Sequence, residues 1–124
     1  MHSIDRAFFI LAVLLGLAGM LLGIQMGMAH DFRLVPVHTH VNLVGWVSLA
    51  LFGIGYRVGL AKGGGLAVLH FWIALAGAIL LPVGIYLAVT QEQQAVVIIG
   101  SLFTLASMVL FLVNVLRART TPAG

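Results

Sequence analysis

The chain has no cysteine, which excludes disulfides, thiolate zinc sites, iron–sulfur clusters, covalent c-type haem attachment and cysteine nucleophiles. Charge is nearly as scarce. Three acids and six Lys or Arg make up 7% of the 124 residues, against about 25% in soluble domains. No two acids share an apolar run, so carboxylate-driven transport through a membrane interior has nothing to work with. A Walker loop and a serine nucleophile motif are also missing, which sets aside nucleotide hydrolysis and proteolysis. The bases stand at segment ends without the clustered stripe that nucleic-acid binding needs. The formal charge of +3 is therefore read as membrane topology and not as a nucleic-acid partner. Of the side chains that hold soft metals, only histidine and methionine remain, five of each.

What the chain has in abundance is apolar sequence. Hydrophobic residues make up 62% and the mean hydropathy is +1.19, which marks an integral membrane protein whose first partner is the lipid bilayer. A hydrocarbon core of roughly 30 Å takes about 20 residues per helix, so the length allows a single domain of at most four spans. The first covers residues 7–28, behind a polar head HSIDR. Within it Gly19, Gly23 and Gly27 recur at four-residue intervals, a ridge on which another helix can pack closely. Gly27 and Ala29 have the small side chains of a signal-peptidase site, but the apolar run before them is too long for a signal sequence and reads as a retained span. Pro36 suits a first helical turn and opens the second span, 36–56. A basic, glycine-rich loop follows. The third span, 66–89, contains Pro82, where a kink is expected. After the polar turn QEQQ the fourth span takes 95–116. The expected fold is an all-α membrane protein, an antiparallel four-helix bundle or arc.

Four spans bring both termini and the loop between spans two and three to one side. That side holds Arg6, Arg57, Lys62, Arg117 and Arg119, and the other holds Arg33 alone. The positive-inside rule then orients the termini to the cytoplasm. Met26, Met28, His30, Asp31, Arg33, His38 and His40 fall towards the outer face, the periplasmic side in a bacterial inner membrane.

Intramembrane ionisable residues are functional candidates by default, and His38 and His40 stand two residues apart at the mouth of the second span. On an α-helix such residues are about 200° apart, so the two imidazoles point to opposite sides. His38 shares its side with Asn42 and Gly45, and Gly45 leaves room for a flat ring.

HTHVNLVGW followed by LALFGIGYR resembles the haem-copper oxidase subunit I superfamily, over about a fifth of the chain. The resemblance rests mainly on the H-x-H pair with Asn42, Gly45 and Trp46. It implies b-type haem held by His38 and His40, with the second helix of a four-helix arc as ligand carrier. Three such arcs make up the family's twelve-helix subunit, so the resemblance also implies a homo-oligomer, a homotrimer above all, with haem between protomers. Arg33 is then a partner for a haem propionate, or else pairs with Asp31, and Asn42 and Trp46 are supporting residues. The histidine-proline-glutamate-valine-tyrosine run of the family's copper centre is absent, so an oxidoreductase component is implied without the ligands for oxygen reduction.

His70 sits in the inner half, roughly 15 Å in depth from His40, and cannot share an iron with it. It is expected to bond a neighbouring helix. Two alternatives stand beside haem electron transfer. Met26, Met28 and His30, with the histidine pair, offer a thioether and imidazole site for copper. A non-redox accessory subunit would use its histidines as hydrogen bonds between helices.

Overall fold

The computed structural model describes residues 2–119, with side chains from Ile4 onward. It is all-helical among those residues. Four helices are long and apolar enough to cross a membrane. We label them α1 (His2–Ala29), α2 (Val35–Arg57), α3 (Gly65–Gln91) and α4 (Ala95–Arg117). The expected spans fall inside these helices. The largest difference is at the start, where the polar head is already helical. Asp5 lies in the first turn, where a carboxylate complements the helix dipole, and it also accepts from Arg57 at 3.2 Å. α3 continues through Pro82 as one helix. The tail beyond Arg119 lies outside the described residues.

Successive helices run antiparallel. One end of the molecule gathers Asp5, Arg57, Lys62, Asn114 and Arg117, and the opposite end gathers Asp31, Arg33, Tyr86 and Thr90. α3 and α4 form the closest pair, with α1 against α2 next and little contact between α1 and α4. The core lies towards the Asp5 end, where Phe8, Ala12, Leu49, Ala50, Phe52, Ala74 and Ala78 are buried together.

Glycine sets the two tight pairs. On α1 the close approaches are at Gly16, Gly19 and Gly23, which face Trp46, Asn42 and His38 of α2, whereas a Cβ on Gly27 would meet nothing within 4 Å. The expected ridge is therefore displaced by a turn towards the N-terminus. Between α3 and α4 the approach is backbone to backbone. A Cβ on Gly77 would lie 2.9 Å from the Thr104 nitrogen, one on Gly100 2.5 Å from the Leu81 nitrogen, and Gly84 is packed closer still on Val97.

α2 is not uniform. Val35–His40 is α-helical, Val41–Ser48 is π-helical and Leu49–Arg57 returns to α. The side-chain amide of Asn42 donates to the carbonyl of His38 at 2.8 Å, the acceptor that its own N–H would take in an α-helix. With that acceptor shared, the ladder moves to the longer five-residue reach. Ser48 Oγ follows the same reach and donates to the carbonyl of Leu43 at 2.7 Å.

Candidate functional site

Pro36 begins the turn that carries both histidines. The two rings are held alike. Nδ1 of His38 donates to the carbonyl of Gly19 on α1 at 2.7 Å, and Nδ1 of His40 donates to the carbonyl of Pro36, one turn back on its own helix, at 2.8 Å. A carbonyl only accepts, so each Nδ1 carries the proton and each Nε2 presents its lone pair. No hydrogen bond reaches either Nε2 among the described residues, and no buried side-chain nitrogen lacks a partner. Both lone pairs therefore open at the surface of the chain. A metal-bound imidazole needs this arrangement: one nitrogen fixed by a backbone acceptor, the other left for the ion.

The two rings diverge. His38 lies over Gly23 of α1, where an added Cβ would come within 2.8 Å of its Cε1. His40 leans on its own turn and, two residues on from His38, lies about 200° round the helix. Asn42 is spent locally, on the His38 carbonyl, beside His38 Nδ1 at 3.3 Å and against Gly19. Gly45 is buried under Leu15 of α1, 2.9 Å from an ideal Cβ to that side chain, so the room expected for a flat ring over Gly45 is taken by Leu15. Trp46 borders a shallow lipid-facing recess with Val13, Gly16, Leu17 and Met20.

Arg33 grips Asp31 with a fork, Nε to Oδ1 at 3.1 Å and Nη2 to Oδ2 at 2.9 Å. Arg33 also draws the Asp31 carboxyl below its ordinary value, first through the side-chain hydrogen bond and then through the backbone one. Asp31 raises the Arg33 guanidinium in return. A depressed carboxyl holds its charge above the ordinary carboxylate range and yields it only as pH falls through the lowered value, so this pair is intact at neutral pH. Both partners are exposed.

The methionines do not converge. Met26 is 4% exposed and Met28 79%, because residues two apart point to opposite sides of α1. His30 sits beyond the helix with a positive φ of 50°. Among the described residues no group of three or more His, Cys, Asp or Glu stands ready to hold a bare metal ion.

A second polar cluster, at the other end, extends what was expected of His70. That ring is fully buried. Asn114 Nδ2 donates to the Tyr56 hydroxyl at 2.9 Å, the Tyr56 hydroxyl is hydrogen-bonded to His70 Nδ1 at 2.8 Å, and His70 Nε2 is hydrogen-bonded to Ser107 Oγ at 3.1 Å. Phe8, Phe52 and Phe111 surround the imidazole with ring centroids 4.6–5.6 Å away. Both ring nitrogens are occupied, so His70 is a bonded bridge between α2, α3 and α4. The sequence held a signal for its partners: Ser107 and Asn114, seven residues apart, fall on one face of a largely apolar helix.

No protein-family model, curated protein or solved structure matches the chain. Its function has to be argued from the residues and their geometry.

Proposed function

We propose that the chain is a b-type haem-binding membrane protein of electron transfer, with His38 and His40 as the iron ligands. The observation that carries this reading is the matched tethering of two imidazoles through Nδ1 with both Nε2 atoms open. The donor set suits haem, which needs one or two imidazoles, better than a bare copper ion, which would need Met26, Met28 and His30 to converge. When bound, haem supplies a one-electron couple. The chain's own part is to fix the tautomer of each ring, hold it in place and keep the surroundings apolar.

The two rings leave α2 in different directions, so one chain does not present both to one iron. The divergence supports haem between copies, and the resemblance to one arc of the haem-copper oxidase subunit supports three copies, a homotrimer. The basic end orients the termini to the cytoplasm and the histidine pair to the periplasmic face of a bacterial inner membrane. Arg33 spends Nε and Nη2 on Asp31, which leaves its Nη1 donors for a propionate.

A second reading has its own support. The bond from His38 to Gly19 joins α1 to α2 and accounts for that residue without a cofactor, as in a non-redox accessory subunit.

The deciding experiment is an absorbance spectrum of detergent-purified protein, oxidised and dithionite-reduced, beside His38→Ala and His40→Ala, with metal analysis. The expected result is a Soret band with sharp reduced bands in wild type, lost in both variants. A colourless, iron-free wild type removes the haem reading. Copper in that sample would then favour a metal site, and its absence the accessory subunit.

A further inference from the structure

The end of the molecule opposite the histidine pair holds five of the six bases and a single acid, Asp5, which is paired with Arg57. Three of those bases meet at one place. Lys62 from the loop between α2 and α3, with Arg117 and Arg119 from the end of α4, border a recess of about 300 Å³ together with Gly59 and Ala118. Among the described residues no carboxylate lines it.

The recess is built on a clamp. The Lys62 N–H donates to the Asn114 carbonyl at 2.8 Å, and Arg117 Nη1 donates to the Asn114 side-chain oxygen at 3.3 Å. One residue of α4 thus fixes both the loop and an arginine. Gly59, at φ +81°, allows the loop to turn back towards α4 at this point. Two helix C-termini, those of α2 and α4, point here, and each adds the equivalent of about half a negative charge. Three formal positive charges outweigh them, and the recess is net attractive to an anion.

Its surroundings select the kind of anion. Leu60 and Leu116, next in sequence to Gly59 and Arg117, are 66% and 75% exposed. They stand where the apolar spans end, at the boundary between acyl chains and head groups. A ligand with an anionic head and apolar tails satisfies both sets of groups, whereas free phosphate leaves the leucines bare.

We propose that Lys62, Arg117 and Arg119 form a binding site for the phosphate head group of an anionic phospholipid. The site does not depend on the haem reading. It rests on charge complementarity and on the membrane-spanning fold.

The test is native mass spectrometry of the full chain in a non-ionic detergent, titrated with phosphatidylglycerol, with phosphatidylcholine or with inorganic phosphate. Wild type is expected to retain phosphatidylglycerol about tenfold better than phosphatidylcholine, and each cation removed from the recess to weaken retention about fivefold. Lys62→Gln with Arg119→Gln is the first variant. Arg119→Gln alone, which touches no bond of the clamp, keeps the test open if the pair fails to fold. Arg6→Gln, at the same end but outside the recess, is expected to retain the lipid within about twofold. Equal retention of the two lipids, or an unchanged Arg119→Gln, overturns the site. So does an equal loss in Arg6→Gln, because that outcome describes diffuse surface charge. Displacement of phosphatidylglycerol by equimolar inorganic phosphate overturns the assignment to lipid.

Discussion

A methyl group on residue 23 would sit 2.8 Å from Cε1 of His38 and 3.3 Å from its Nδ1, so the smallest change on α1 reaches the ring on α2. Gly23→Ala is expected to push the imidazole off the Gly19 carbonyl and, under the haem reading, to weaken haem affinity about tenfold or more at unchanged helix content. Haem titration with circular dichroism measures both. At the other end, His70→Leu removes a bridge and leaves Tyr56 and Ser107 with unmet hydrogen bonds inside an aromatic cage. The expected loss is about 2–4 kcal/mol of stability, read by denaturant unfolding in detergent, and under the haem reading the spectrum at His38 and His40 is unmoved. The opposed directions of the two histidines were legible from their two-residue spacing alone. The pairing of Arg33 with Asp31, two residues away, was one of its two expected roles, whereas the filling of the space over Gly45 by Leu15 depends on a contact between helices, which spacing along one helix does not encode.

Hydropathy located the helices because a spanning helix must be apolar for its whole length. It could not show that Val41–Ser48 winds with a five-residue reach, since hydrogen-bond reach leaves no mark in the apolar content of VNLVGWVS. Nor could spacing show which glycines matter. Gly27 belongs to the regular series and faces nothing, while Gly84 lies against the backbone of Val97. Alanine at either position gains up to about 1 kcal/mol of helix propensity. At residue 84 the overpacking term wins, because a backbone cannot rotate aside as a side chain can, and Gly84→Ala is expected to lose about 2–3 kcal/mol. Gly27→Ala is expected to be neutral or slightly stabilising. Parallel unfolding curves in one detergent compare them directly, and a Gly84→Ala variant as stable as wild type would contradict the backbone packing of α3 on α4.

In the whole molecule α4 is the least covered of the four helices, with only 11% of its most apolar window buried, and α1 follows at 22%. These faces meet lipid or further copies. Under the proposed reading the detergent-solubilised protein is expected to have the mass of three chains, with haem loss in His40→Ala accompanied by a fall towards monomer. Light scattering corrected for detergent reads this, and a wild-type monomer carrying a full complement of haem would remove the requirement for haem between copies. The unequal ends of the molecule have one more consequence. The basic end carries five positive charges and one negative, the other end one positive and two negative, so the chain is a dipole standing along the membrane normal. With the basic end inside, as proposed, turning the chain over would carry four net positive charges outward and one net negative charge inward. Against an inside-negative potential each charge costs roughly 2.3 kcal/mol per 100 mV. Under the proposed topology, membrane voltage itself holds the protein in its orientation, and vesicles prepared with an imposed potential are expected to sort the chain by direction.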